Sequence, residues 1–297
     1  MQYHMLKFLE NMRNPFLDTI ANLSSALAEV GILIPIMIVI YLCINKKMGY
    51  IIAISLSYVL IITNVVKTAM KVPRPFMRHA DLAPMRLETA TGYSFPSVHS
   101  AISSVFFPLL GKVMRIKAVR VFLTILPLIV GLSRNYLGVH WPFDVFIGLS
   151  VGYIFSLLLY PLFSSVYEDE DRLTKLLIEA SVAGAILTAI YGILYFKTMD
   201  RIAYRDTLTS AAVFFSCNLG LLIERKKIGF KIIDSAMKKS LNALLCIIGL
   251  LCIAAIHLPG RLDAICVIVK YSGIMLWVTC IYPYIATKIG LLGHEEA

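Results

Sequence analysis

Nine long apolar runs organise the chain, centred at roughly 29–45, 50–66, 99–115, 120–138, 143–163, 176–196, 208–223, 240–258 and 264–287. The hydrocarbon core of a bilayer needs about 20 largely apolar residues per helix, with a range of about 17–25, and each run meets that length or comes close to it. The pattern predicts an all-α, polytopic membrane helix bundle of about nine spans. Ahead of the first run, residues 2–24 interleave Leu, Phe and Ile with Lys7, Glu10, Arg13 and Asp18. Charges at that density do not cross hydrocarbon, so the segment predicts an N-terminal amphipathic interfacial helix. It also lacks the small-residue cleavage site of a removable signal peptide.

Composition agrees with this reading. Of 297 residues, 59% are hydrophobic and 15% charged, whereas a soluble domain runs at about 45–50% apolar and about 25% charged. The surplus must face lipid, and the absence of a short repeat excludes fibrous and solenoid classes. The six cysteines all lie within apolar runs and none forms a C-x-x-C pair, which excludes a disulfide framework and a thiolate metal site. The net charge is +10, but the basic residues are spread over separate loops. They suit anionic lipid headgroups, and no nucleic-acid partner is expected. With the N-terminus outside, the inner loops carry 15 Lys and Arg against 12 outside, or nine once three are set aside for chemistry. The densest inner loop runs from Arg225 to Lys239, and the positive-inside rule favours this orientation in a cell membrane. The acidic run Glu168-Asp169-Glu170-Asp171 falls inside and reads as a solvated loop.

Two outer loops hold nearly all the residues that can do chemistry. The first runs from Lys67 to Ser97, opening KTAMKVPRP and closing YSFPSVHS; the second reads SRNYLGVHWPFD. Lys67, Arg74 and Arg134 are cations near the outer ends of helices, and Ser97 and Ser100 stand just before the third run. A helix N-terminus there supplies unpaired N–H groups and a positive dipole end, so an oxyanion is the natural guest. Arginine binds two phosphate oxygens with its planar fork, and lysine adds a point charge.

The two histidines of these loops take different parts. Pro142 suits the first position of a helix, which puts Asp144 in the first turn, where its carboxylate can accept a hydrogen bond from His140. That bond would fix the tautomer and raise the basicity of the other ring nitrogen, making His140 a nucleophile toward phosphorus. His99 is free to protonate the leaving group and later to activate water. The three cations neutralise the transferring phosphoryl group, so no metal and no cofactor is needed.

These residues resemble the type 2 phosphatidic acid phosphatase and haloperoxidase superfamily. Its K-x6-R-P motif matches Lys67, Arg74 and Pro75; P-S-G-H matches Pro96, Ser97 and His99; S-R-x5-H-x3-D matches Ser133, Arg134, His140 and Asp144. The resemblance implies phosphate binding by Lys67, Arg74, Ser97 and Arg134, general acid/base work by His99, a nucleophilic His140 and an orienting Asp144. It covers roughly residues 1–163 and implies an α-helical core with the site at the outer face. Val98 departs from the pattern, standing where the family has glycine. It keeps a backbone N–H for phosphate, but its branched side chain excludes positive φ and narrows the pocket.

Residues 164–297 add four apolar segments outside the motifs. Glu179 pairs with or snorkels beside Lys175, and Lys270 is read as a snorkelling or internally paired lysine. Asn218, His257 and the loop from Lys197 to Asp206 are read as packing, capping or headgroup contacts. The loop from Phe76 to Phe95, with Arg78, His79 and Arg86, suits a substrate headgroup at the interface. The expected activity is hydrolysis of a phosphomonoester or pyrophosphate on a lipid at the outer membrane face, through a phosphohistidine. Phosphatidic acid, phosphatidylglycerophosphate and polyprenyl pyrophosphate all fit. Two alternatives stand beside it: a lipid phosphotransferase using the same site, and a transporter or lipid-binding protein that keeps the anion site without turnover.

Overall fold

The computed structural model describes residues 1–197, 201–256 and 263–294. His257, Arg261 and the middle of the loop from Lys197 to Asp206 lie outside them. The described chain is helical: α1 (Gln2–Asn11), α2 (Pro15–Ala26), α3 (Val30–Val39), α4 (Lys46–Met70), α5 (Pro75–Arg78), α6 (Val98–Val113), α7 (Lys117–Tyr136), α8 (Pro142–Tyr153), α9 (Tyr160–Glu168), α10 (Glu170–Lys197), α11 (Arg201–Ile223), α12 (Ala236–Ala254), α13 (Asp263–Leu276) and α14 (Tyr282–Lys288). The one extended pairing among the described residues joins Phe230 to His294 and Lys231 to Gly293.

Where the structure describes them, the apolar runs are helical. Among the described residues, six helices are long and apolar enough to cross a membrane, and eight if the bent pairs Pro15–Ala26 with Val30–Ile44 (51°) and Pro142–Leu158 with Tyr160–Glu168 (43°) each count as one span. The run at 99–115 becomes α6, whose 16 residues extend about 24 Å at 1.5 Å per residue, short of a hydrocarbon core of about 30 Å.

Residues 2–24 form two helices where one was expected. Arg13-Asn14-Pro15 breaks the run: the Asn14 side chain accepts from Leu17 N at 3.0 Å as an N-cap, and Pro15 takes the first helical position, where its missing N–H costs nothing. α2 then joins α3 as part of a bent span.

The chain divides into two compact units, residues 1–33 with 58–160, and residues 34–57 with 161–297. In the first, α6 packs against α7 and α8, and α2 against α7. Gly148 and Gly152, one turn apart on α8, allow close approach to α6. A Cβ at 148 would lie 2.4 Å from the Ser97 carbonyl oxygen, and one at 152 would lie 2.3 Å from that of Ala101. Small residues at such spacing let helix backbones meet, and here they bring the start of α8 against the start of α6.

In the second unit α10 packs on α11, and α13 on α11 and α12. A buried ion pair closes one end: Lys46 Nζ lies 3.0 Å from Glu224 Oε1 and donates to Phe230 O at 2.7 Å. Tyr50 OH donates to the other Glu224 oxygen, and Phe230 N to the first at 3.0 Å. With every partner present, the desolvation cost of the pair is offset by hydrogen bonds. The acidic run also carries pairs within this unit, Glu168 with Lys47 and Glu170 with Arg225 and Lys226. Lys175 and Glu179 are both exposed, 3.9 Å apart.

Candidate active site

Three stretches far apart in the chain are tied together by hydrogen bonds to backbone groups. α4 ends where Lys71 turns into the left-handed region at φ 49°, and Pro73 and Pro75 keep the following residues extended. The freed carbonyls are used. Val72 O accepts from Ser94 N at 2.8 Å, and Pro73 O accepts from the Trp141 indole N–H at 3.1 Å. Ser97 N donates to Asp144 O at 3.0 Å. The segment after α4, the loop leading into α6 and the start of α8 are thus each bonded to the other two. Local capping fixes the details: Ser97 is the N-cap of α6, and Trp141 is the N-cap of α8 with Pro142 at the first helical position.

The cations are sequestered, with Lys67 5% exposed, Arg74 2% and Arg134 0%. Arg74 is heavily engaged. Its Nε donates to Gly92 O at 3.0 Å, Nη2 to Thr91 O at 2.5 Å and Nη1 to Val139 O at 2.8 Å. Arg134, in the last turn of α7, is engaged on one edge only. Nη1 donates to Ser25 Oγ at 2.6 Å and Thr89 Oγ1 at 3.2 Å, while Nε and Nη2 are buried without a hydrogen-bond partner. Buried N–H groups are nearly always paired, so a guanidinium with one bare edge is a place made for an acceptor.

His140 follows in the loop between α7 and α8, its carbonyl held by Asn135 Nδ2 at 3.0 Å. Arg74 Nη1 lies 3.3 Å from His140 Nε2. A guanidinium only donates, so Nε2 presents its lone pair and the proton of the neutral ring sits on Nδ1. On that side stand Ser94 Oγ at 3.4 Å and Asp144 Oδ2 at 3.5 Å. The Asp144 carboxylate is itself fixed: the same Oδ2 accepts from Ser94 Oγ at 2.5 Å and from Trp141 N at 2.9 Å. Burial, then the charges of Arg74, Arg134 and Lys67, hold the His140 pKa well below the usual histidine range, so the ring is neutral and its Nε2 unprotonated at neutral pH.

His99, the second residue of α6, is near enough for its charge to act on His140, and Arg134, Lys67 and Arg74 act on it in turn. Val98 is the first residue of α6 and is not among the positive-φ positions. The glycine of the motif pattern is therefore not needed for backbone conformation here. Arg78 lies exposed on α5, outside the hydrogen-bonded cluster. Arg86 lies beside the cluster, tied to α2 through Asn22 O at 2.7 Å and to the Glu29 carboxylate.

Sequence reasoning did not single out Ser25, Glu29, Thr89 or Ser94. Ser94 was within reach, three residues before Ser97 in a loop already marked for chemistry. Ser25 and Glu29 carry no local signal, since they meet the arginines only once α2 folds back on α7. Together the cluster offers an acceptor-seeking guanidinium, further cations, a helix N-terminus and a buried neutral imidazole whose Nε2 lone pair faces Arg74. Groups of these kinds suit a tetrahedral oxyanion.

A family model described as the PAP2 superfamily matches residues 46–167, and one described as PAP2 superfamily phosphatase, transmembrane extension, matches residues 208–295. No curated protein matches the chain. Among solved structures, Aquifex aeolicus LpxE is similar at 26% identity, covering 52% of this chain and 92% of its own, with a TM-score of 0.45. The first transmembrane PAP2 type phosphatidylglycerolphosphate phosphatase from Bacillus subtilis is similar at 23% identity, covering 56% of this chain and 85% of its own, with a TM-score of 0.49. The motif residues fall within the first matched segment, and most of α11 with α12 to α14 within the second, and the chain belongs to the PAP2 superfamily.

Proposed function

We propose that this membrane phosphatase hydrolyses a phosphomonoester or pyrophosphate of a lipid at the outer membrane face, through a phosphohistidine and without a metal. The observation that carries the reading is the pairing of a fully buried Arg134, bare at Nε and Nη2, with a neutral His140 whose Nε2 lone pair faces Arg74. A phosphoryl group placed there satisfies the guanidinium and meets the nucleophile at once. Lys67, Arg74, Arg134 and the first N–H groups of α6 at Val98 and His99 bind the phosphate oxygens, and Ser97 holds the α6 cap. His140 Nε2 attacks phosphorus while His99 gives a proton to the leaving oxygen. Water activated by His99 then releases orthophosphate from Nε2. Asp144 and Ser94 hold the Nδ1 side, and the cations spread along the cluster neutralise the transferring charge. Catalysis belongs to residues 1–163, with residues 164–297 forming additional transmembrane helices. The excess of Lys and Arg in the loops of the opposite side supports an outward-facing site.

The test is orthophosphate release from short-chain lipid phosphates by the purified protein in chelator. Wild type should turn over, His140→Ala should not, and a radiolabelled phosphoryl group should be trapped on wild type alone. Activity that survives His140→Ala, or that requires a divalent cation, overturns the proposal. In labelled water the oxygen should enter phosphate; transfer to an added alcohol instead would identify a phosphotransferase.

A further inference from the structure

α1 lies outside the sequence motifs, yet it is bonded to the loop that follows Arg74 and to the facing ends of α7 and α8. Tyr3 OH donates to the Asp81 carboxylate, and Lys7 Nζ to Asp81 O at 2.7 Å. Glu10 Oε1 accepts from Ala83 N at 3.1 Å. Arg13, just past the helix, donates to Ala83 O at 2.5 Å and to Tyr136 O at 2.9 Å. Gln2 Oε1 accepts from Phe143 N at 3.0 Å, one of the N–H groups that a helix start leaves without an internal partner. The Tyr3 ring lies 4.4 Å from that of His79, and His79 lies 5.9 Å from Trp141. Leu6 is 2% exposed and packs with Leu82 and Trp141.

The candidate site rests on the places held in this way. Tyr136 is two residues past Arg134, and Trp141 N donates to Asp144 Oδ2 at 2.9 Å. The loop fixed at Asp81 and Ala83 continues to Thr91 and Gly92, whose carbonyls accept from Arg74.

The opposite face of α1 is open. At about 100° per residue, Met1, Met5, Phe8 and Met12 fall within about 60° of arc, and Tyr3, Leu6, Lys7 and Glu10 are centred about 180° away. The four residues of the stripe are exposed, Phe8 at 62%. An interfacial helix ordinarily turns its charges to water and its apolar face to lipid; in α1 the protein has taken the charged face. The stripe is followed along the chain by Phe16, Ile20 and Leu23, exposed apolar positions of α2, and α2 with α3 forms a bent pair apolar enough to span a membrane. An uncharged stripe leading into a lipid-facing surface is complementary to the acyl-chain boundary of a leaflet.

We propose that α1 docks on the bilayer surface through Met1, Met5, Phe8 and Met12, and that this docking positions the loop at Asp81–Ala83 and the Tyr136 end of α7 for turnover. The coupling rests on the phosphatase reading of the site. Lipid holds one face of the helix and the supports of the site hold the other, so lifting α1 from the bilayer pulls on both Arg74 and Arg134 through their supports. Tyr3, Lys7, Glu10 and Arg13 are positioning residues, acting through the loop and α7.

The test uses the full chain in phospholipid nanodiscs with a water-soluble aryl phosphate, a substrate that reaches the site without travelling in the bilayer. Emission from Phe8→Trp should be quenched by lipids brominated on their acyl chains, beyond the quenching of Trp141 and Trp277 in wild type. Moving a phenylalanine from lipid to water is worth about ten- to a hundredfold in an equilibrium, so Phe8→Asp should lower kcat by about tenfold or more, while Phe8→Leu should stay within about twofold of wild type. Arg13→Gln, made in the Phe8→Trp background, should remain quenched and still lose about tenfold in kcat, with Arg13→Lys recovering part of it; this arm decides the matter if Phe8→Asp fails to fold. If α1 is only an adhesive, Phe8→Trp is quenched while Phe8→Asp and Arg13→Gln turn over as wild type does, and the inference is overturned. Absence of quenching in an active protein overturns the inference and leaves the phosphatase reading in place. Wild type that releases no phosphate overturns that reading, and the inference falls with it.

Discussion

Replacing Arg134 by methionine should remove activity while leaving the ligand-free fold about as stable as before. Methionine keeps most of the length of the side chain and discards the guanidinium. Two hydrogen bonds go, to Ser25 Oγ and Thr89 Oγ1, each worth about 1.5–3 kcal/mol when one partner is charged. Against this, two buried and unpartnered nitrogen atoms, Nε and Nη2, also go, each costing about 1–3 kcal/mol while present. Repulsion from Arg74 and Arg86, both of which act on Arg134, disappears as well. The terms nearly cancel, so the unfolding free energy should change by no more than about 2 kcal/mol. Ligand binding separates wild type from variant. A phosphate analogue such as vanadate at about 100 times its Kd stabilises the protein it binds by about 2.7 kcal/mol, which wild type should gain and Arg134→Met should not. Turnover should fall by about 10²–10³, as when one preorganised donor to a developing anion is lost. Thermal unfolding in detergent, followed by tryptophan fluorescence, reads this directly, since Trp141 adjoins His140. A variant that loses more than about 4 kcal/mol without ligand, yet still gains stability from vanadate as wild type does, would show Arg134 to be a structural strut and refute the reasoning.

The depressed pKa of His140 sets two pH effects. The neutral nucleophile persists below the ordinary histidine pKa of about 6.5, so its acid limb in kcat/KM should lie below pH 6.5 and stay put when the substrate's own phosphate pKa is changed; a limb above 6.5 that vanishes in a His140 variant contradicts the assignment. Because the unfolded ring takes up a proton near pH 6.5 and the folded ring does not, this group's contribution to stability is present above that pH and is lost as pH falls, a trend that denaturant titration between pH 5 and 7 should show. Ser94→Ala leaves the buried Asp144 charge less shared, so the His140 limb should move to higher pH with kcat/KM down about tenfold; Ser94→Thr should hold the wild-type profile, and an unmoved limb in Ser94→Ala would remove Ser94 from the site. Val98→Gly should keep or raise activity at a stability cost of up to about 1 kcal/mol, and loss of turnover would show that the side chain supports the pocket. Glu224→Gln leaves Lys46 buried without its anion and should destabilise by about 3–5 kcal/mol; full stability in that variant would mean the pair contributes nothing.

The spans were legible because lipid imposes one rule on every residue facing it, and a run of apolar residues is the direct print of that rule. Their number was not: nine were expected, and among the described residues six helices are long and apolar enough, or eight counting the bent pairs. α6 is short because Ser97 caps it just after Pro96, and residues 2–24 split because Asn14 and Pro15 start a second helix. The candidate site residues stand out in the sequence for another reason. Lys67, Arg74, Ser97, His99, Arg134, His140 and Asp144 need particular functional groups, which few other residues can supply, and their spacing within each motif is set by a single turn or helix start.

What could not be read is the set of groups that hold those residues. Any hydroxyl or carbonyl arriving from any direction can accept from an arginine, so Ser25, 109 residues before Arg134, and Asn22, 64 before Arg86, leave no trace in composition or period. They become visible only when α2 lies on α7. The difference has a consequence for the site itself. A donor set that must wait for phosphate is destabilised in its absence, and the cluster tolerates one bare guanidinium edge because the other edge is fixed by neutral oxygens and not by a carboxylate. An acid at position 25 would quench Arg134 and compete with every phosphate that entered, whereas a serine holds the guanidinium in place and leaves its charge unspent. Ser25→Asp should therefore raise thermal stability and weaken vanadate binding together, and a variant in which both rose would show that the Arg134 charge is not what the oxyanion meets.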